Sequence, residues 1–425
     1  MIHLYPAKAE WPALTERNIP DDDAINRSVN DIIDTVRRNG DAALRHYAEA
    51  FDHTHIDQIE VGADERQDAA RHVSDEVKAA IEVARHNIIR FHREQRPHTV
   101  DMETQPGVRC CQHALPIQRV GLYIPGGRAP LFSTVLMLAL PAKIAGCPEV
   151  VMCTPQGPDG RIAPEILYAA EVCEVDHIYR IGGAQAVAAM AYGTESVSRV
   201  DKIFGPGNRY VTHAKQQLSR RVAIDMPAGP SEVLVVADDT ASPAFVAADM
   251  LSQAEHGPDS QAILVCLSED FAQRVKQEIN RQTALLHRAD LVRQSLSHSR
   301  IIVLASRQEM MDFSNAYAPE HLIIQTTQPW ELATQVTAAG SVFVGCYSPE
   351  SAGDYASGTN HTLPTGAWAR SYSGVNLDSY YRKITYQELT PEGLRSLAPT
   401  IVAMAEAEGL QAHANAVKLR IQPQD

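Results

Sequence analysis

The chain has 425 residues, 44% hydrophobic and 21% charged, which fits a soluble globular protein with material for two or three domains. Its formal charge of −14, with no basic face evident in the sequence, argues against a nucleic-acid partner or an anionic membrane surface. The seven cysteines, odd in number and without a C-x-x-C pair, read as reduced thiols of a cytoplasmic protein.

The start, Met1-Ile-His-Leu-Tyr-Pro-Ala-Lys, lacks the sustained apolar core of a targeting segment. Amphipathic, charge-rich helices are predicted at 31–38, 41–51 and 75–94. From about residue 115 short apolar runs alternate with helical stretches. Strand 119–124 precedes helix 131–144, whose apolar stretch at 135–146 holds Pro141 and Lys143 and is too short to span a bilayer. Strand 149–153, helix 163–173, strand 177–181 and a helix opening at 184 follow. Strands at 222–225 and 232–237 lead to helix 243–256, strand 262–267 and helix 270–286. The last strands are 301–304, 321–325 and 341–344, and from about Ser379 the tail reads as helical, at 391–397 and 399–415. This alternation implies an α/β fold with parallel sheets covered on both faces, a helical N-terminal segment and a small helical C-terminal tail.

Three glycine turns follow strands: Pro125-Gly126-Gly127, Gly182-Gly183 and Gly205-Pro206-Gly207-Asn208. Each can present backbone N–H groups to a phosphate, or simply close a tight βα turn; none is G-x-G-x-x-G. Ser242 and Pro243 start a helix that Gly257 and Pro258 stop, so Gln253 and His256 share one face at its last turn. That spacing suits two ligands of one ion, although it also describes an ordinary helix end. Asp354 lies in Ser351-Ala-Gly-Asp-Tyr-Ala-Ser-Gly-Thr-Asn-His361, a loop-rich stretch of the kind that carries function or caps a turn. Pro319-Glu320-His321 offers an acid–base pair ahead of a strand. His413 is, by itself, one of 17 histidines.

Taken together these segments resemble the histidinol dehydrogenase family over nearly the whole chain. The resemblance rests on Val120-Gly-Leu-Tyr-Ile-Pro-Gly-Gly127, Gly182-Gly-Ala-Gln-Ala186, Asp201-Lys-Ile-Phe-Gly-Pro-Gly-Asn208, Asp225-Met-Pro-Ala-Gly-Pro-Ser-Glu232, 252–260 and 354–361. It implies two intertwined, incomplete Rossmann-like domains. The expected division is a tail segment at 1–18, a first α/β domain from 19–122 and 232–375, a second, NAD-binding α/β domain at 123–231, and a tail at 376–425 for dimer contact. It implies oxidation of L-histidinol to L-histidine through L-histidinaldehyde with two NAD in succession, the last step of histidine biosynthesis, by a zinc-dependent homodimer.

Carried over position by position, Gln253, His256, Asp354 and His413 are the expected ligands of one Zn2+ per subunit. Glu320 and His321 are the expected catalytic pair, and Tyr123, Gln185 and Asn208 the NAD contacts. Ser231, His321, His361 and Glu408 are expected to contact substrate together with the zinc ligands. Arg128 and the doubled Cys110-Cys111 read as local variation. Loss of a hydride from an alcohol requires the hydroxyl proton to leave too, and His321, with an ordinary His pKa of about 6.5, is the expected base. Glu320 is expected to activate the water of the second oxidation, and zinc to position substrate rather than polarise it. Glu408 and His413, distant in sequence from the rest, are expected to reach a partner's site. The competing reading is a paralogue of the same fold that oxidises a sulfonated diol.

Overall fold

The structure, a computed structural model, describes residues 2–17, 23–126, 130–157 and 159–422. Gly127 and Arg128 of the first glycine turn, and the expected boundary after residue 18, lie outside the described residues.

Two parallel sheets organise the chain. In the larger, the strand order is Ile2–Leu4, Arg300–Val303, Gln261–Cys266, Glu232–Ala237, His321–Gln325, Ser341–Val344. Its three central strands are buried along their whole length, which is why they read as unbroken apolar runs such as Val-Leu-Val-Val rather than alternating ones. In the smaller the order is His177–Tyr179, Glu149–Cys153, Arg119–Tyr123, Lys202–Phe204, Ala223–Ile224.

The chain threads between the two. Its first strand closes an edge of the larger sheet, yet the next helices pack on the smaller one. Helix Asp23–Tyr47 buries Val29, Ile32, Val36 and Leu44 with Val151, Val187, Ala188 and Ile203. Helix Asp75–Arg93 buries Ile81, Ala84 and Ile88 against Leu136, Leu140 and Ile166. The helices predicted separately at 31–38 and 41–51 are one element kinked at Gly40, whose φ of 50° and ψ of −130° a glycine accepts.

A third sheet is absent from the sequence reading. Tyr381–Leu389 pairs antiparallel with Val108–Pro116, and Val100–Gln105 closes the other edge. The tail expected to be helical from Ser379 therefore begins with a nine-residue strand. Helix Pro391–Ala407 then runs through Pro399 instead of breaking there, since a proline removes only one ladder hydrogen bond from a helix of 17 residues. Helix Gln411–Ile421 packs back on it, leaving Met404, Leu410 and Leu419 exposed. All seven cysteines are free, and no helix among the described residues is long and apolar enough to cross a membrane.

Candidate active site

The larger sheet delivers its chemistry at the amino ends of its strands. Tyr317 ends helix Arg307–Tyr317, Ala318 turns the chain with a φ of 53°, and Pro319-Glu320 leads into strand His321–Gln325. Beside it, strand Glu232–Ala237 begins where its neighbour begins, with Val233 opposite His321. Main-chain atoms of Glu232 hold both members of the pair. Its N–H donates to Glu320 Oε2 at 2.9 Å, and its carbonyl lies 3.3 Å from His321 Nδ1. A carbonyl only accepts, so Nδ1 carries the ring proton and Nε2 is left as the unprotonated nitrogen. Nε2 is buried without a protein partner and sits 3.9 Å from Asp354 Oδ1.

Around this pair converge the last turn of helix Pro243–Ala254 and the short helix Glu350–Tyr355. Gln253 Nε2 lies 3.4 Å from His256 Nδ1, while Gln253 Oε1 is buried and unpartnered. His256, Glu350 and Asp354 each offer a ligand atom, and these atoms lie within 4.8 Å of one another. Glu350, 1% exposed, has both carboxylate oxygens buried without a hydrogen bond, and its Oε1 is 3.7 Å from His321 Nδ1. Unpartnered buried oxygens of Gln253 and Glu350 beside an imidazole and a second carboxylate are the nitrogen and oxygen donors that a zinc ion takes. The described residues thus fit a metal.

Burial dominates the electrostatics. It pushes Asp354 up to about 7, and raises Glu320 and Glu350 well above the usual carboxylate range, with Asp354 adding like-charge repulsion to both. Asp249, just behind, is also pushed up to about 7 by burial although Gln325 Nε2 donates to it at 2.5 Å. Burial lowers His321 to about 3 and His361 to about 4, and lowers His256 as well although part of its surface remains open. Enclosure lowers His321 even though Glu320 Oε2 and Glu350 Oε1 each lie 3.7 Å from Nδ1 and Asp354 Oδ1 lies 3.9 Å from Nε2.

His361 closes the site toward the smaller sheet. Its Nδ1 donates to the Asp354 carbonyl at 2.9 Å, and its Nε2 lies 3.2 Å from Thr134 Oγ1, on the helix Phe132–Ala145. Asn360 Nδ2 donates to the Met137 carbonyl at 2.6 Å on the same helix. Ser231 lies half-buried just before strand Glu232–Ala237, its carbonyl accepting from Gln261 N–H.

The candidate NAD residues sit at the carboxyl edge of the smaller sheet. Tyr123 ends its strand, and its hydroxyl accepts from Gly183 N–H at 3.1 Å. Gln185 lies in the first turn of helix Gly183–Tyr192 with Oε1 buried and unpartnered. Asn208 caps helix Arg209–Leu218 through Oδ1, which accepts from Val211 N–H at 3.1 Å.

Glu408 and His413 do not join the cluster in one protomer. Both are exposed on the tail, and among the described residues neither side chain forms a hydrogen bond or ion pair with the site. Glu350 and Asp249 are the site acids that the sequence reading missed. The four-residue spacing of Glu350 and Asp354 on one helix was the available signal for the first.

The histidinol dehydrogenase family model matches residues 15–421. Histidinol dehydrogenase from Bacteroides thetaiotaomicron is 54% identical over 418 residues, covering 98% of each chain. That from Escherichia coli (strain K12) is 56% identical over 402 residues, covering 94% of this chain and 92% of its own. The crystal structure of histidinol dehydrogenase from Elizabethkingia anophelis superposes with a TM-score of 0.96 at 48% identity, covering 99% of this chain and 98% of that one.

Proposed function

The chain belongs to the histidinol dehydrogenase family and is an oxidoreductase; from that premise we propose that it oxidises L-histidinol to L-histidine through L-histidinaldehyde, using NAD twice. The observation that carries the site assignment is the shared anchoring of Glu320 and His321 on the main chain of Glu232, with Asp354 Oδ1 3.9 Å from His321 Nε2 and grouped with His256 and Glu350.

His321 Nε2 takes the hydroxyl proton as the substrate carbon loses its hydride. Its tautomer is fixed by the Glu232 carbonyl, which leaves the lone pair on Nε2, facing Asp354 and the site. Glu320, whose Oε2 is oriented by the Glu232 N–H, draws a proton from the water that adds to the aldehyde. His321 acts again for the second oxidation. His361, neutral and with Nε2 beside Thr134 Oγ1, contacts substrate between the two sheets, and Ser231 contacts it from the larger one.

Gln253, His256 and Asp354 would hold one zinc ion, with Glu408 and His413 supplied by a second copy of the chain in a homodimer. Bound zinc would supply a charged centre that fixes the substrate nitrogens, a positioning contribution. Tyr123, Gln185 and Asn208 would hold NAD at the carboxyl edge of the smaller sheet, where orphaned Gln185 Oε1 fits a ligand that donates hydrogen bonds. The proposed division keeps 19–122 with 232–375 as one α/β domain and 123–231 as the other; residue 232 opens a strand of the larger sheet, while strand Arg119–Tyr123 and the helices of 23–93 pack with the smaller one. The role is a biosynthetic one in histidine formation, in the cytoplasm.

Steady-state assay of the zinc-loaded protein tests this. Two NADH per L-histidinol are expected, and His321→Asn or Glu320→Gln should lower turnover by about 10²- to 10⁴-fold. No NADH from L-histidinol, with turnover of a sulfonated diol instead, refutes the substrate. Mixing His413→Ala and His321→Ala chains should restore activity in hybrid dimers if sites are shared; absence of any recovery refutes sharing.

A further inference from the structure

Glu232 offers Glu320 and His321 only its main chain, and its side chain is engaged elsewhere. The carboxylate, 2% exposed, takes Arg17 Nε on Oε2 at 2.8 Å and Arg17 Nη2 on Oε1 at 3.1 Å, a two-pronged grip. Gly366 N–H also donates to Oε1 at 3.1 Å, and the Tyr317 hydroxyl lies 3.1 Å from Oε2. The same guanidinium reaches the other side of the pair. Nη2 donates to the carbonyls of Tyr317 at 2.5 Å and Ala318 at 3.4 Å, and Cζ lies 3.6 Å from the centre of the Tyr317 ring. Ala318 is the alanine with a left-handed φ of 53° that turns the chain into Pro319-Glu320. One side chain from the start of the chain therefore fastens both the strand that anchors the pair and the strained turn that presents it.

We infer that Arg17 is a positioning residue for Glu320 and His321, acting through the Glu232 side chain and the carbonyls of Tyr317 and Ala318. The inference rests on the roles proposed above for that pair. Arg17 contacts no group assigned to zinc, NAD or substrate, so its removal should leave binding largely intact while misplacing the acid and the base. A shift of about 1 Å in reacting groups costs about 10²-fold in rate. A lysine carries the charge but cannot make the planar, branched set of contacts.

The test uses zinc-loaded enzyme with L-histidinol and NAD. Arg17→Lys and Arg17→Ala are expected to lower kcat about 10- to 100-fold, with KM for L-histidinol and zinc content per folded chain close to wild type. In a Glu320→Gln background, Arg17→Lys should cost less in the water-dependent second oxidation, because one of the two groups it positions is already gone. A kcat that stays within about twofold of wild type, or a loss that is fully additive with Glu320→Gln, overturns the inference. If Arg17→Ala does not fold, Arg17→Lys and Glu232→Gln carry the measurement. Wild-type turnover in Glu320→Gln and His321→Asn themselves would instead overturn the functional reading, and the inference with it.

Discussion

Replacing Gly205 by alanine tests whether the close approach of the two central strands of the smaller sheet is a hard constraint. A Cβ built at Gly205 would lie 2.1 Å from the Tyr123 carbonyl oxygen, 3.0 Å from its carbon and 3.2 Å from its nitrogen. An ordinary carbon–oxygen approach is about 3.3 Å or more, so the strands must part by about 1 Å. Leu122 and Phe204 are paired neighbours just before this point, and such a shift strips the hydrogen bonds between them. The φ of +123° lies beyond the small left-handed region open to alanine, which adds about 1–3 kcal/mol of strain. Together the loss should reach about 3–5 kcal/mol, in the range of exceptional single substitutions. Gly146 provides the control: its φ is +85° but nothing lies within 4 Å of a built Cβ, so Gly146→Ala should cost only about 1 kcal/mol. Urea unfolding of both variants gives the comparison. Equal midpoints and slopes would refute the reasoning. Because Tyr123 must move, Gly205→Ala should also raise KM for NAD more than KM for L-histidinol.

Asp225→Asn should cost about 3 kcal/mol in urea unfolding, since Asp225 Oδ1 is 2.5 Å from Lys215 Nζ and both side chains are buried, leaving the ammonium unpaired; a loss under about 1 kcal/mol would contradict this. Zinc uptake should release protons below about pH 7, because Asp354 is held up to about 7 in the metal-free fold and must give up its proton to ligate. Affinity should therefore fall as pH drops through that value, and calorimetry in buffers of different ionisation enthalpy reads the proton count; pH-independent uptake would contradict it. Chelation should abolish turnover yet leave far-ultraviolet dichroism and cooperative unfolding, since the apolar clusters around Val235 and Leu264 and around Leu122 and Leu136 include none of the expected ligands; global unfolding on chelation would refute a positioning role for the ion.

The two parallel sheets were legible because their central strands are buried on both faces and write themselves as Val-, Ile- and Leu-rich runs. The antiparallel sheet was not. Val100–Gln105 is almost wholly exposed and Tyr381–Leu389 nearly so, and a strand without a buried face imposes no hydrophobic period on its sequence. At the site, Gln253 and His256 were visible as one helix face, and family motifs joined them to Asp354. Glu350 escaped because an acid in the first turn after a proline is ordinary helix punctuation, and only the fold shows its oxygens buried beside His321. The low pKa of His321 was equally hidden, since it comes from neighbours distant in sequence.

The opposed polarity of the two sheets has a consequence for ligand charge. At the amino edge of the larger sheet, the helices Pro243–Ala254 and Arg307–Tyr317 end toward the site with the negative ends of their dipoles. At the carboxyl edge of the smaller sheet, helices Gly183–Tyr192 and Arg209–Leu218 begin, with the positive ends of their dipoles. The peptide dipoles thus oppose each other in sign, so the proposed metal cation and ammonium-bearing substrate would be favoured on the side of the larger sheet and the phosphates of the proposed dinucleotide on the side of the smaller one. On the proposed function, the way the chain threads between the two sheets would help to set the direction in which substrate and NAD lie.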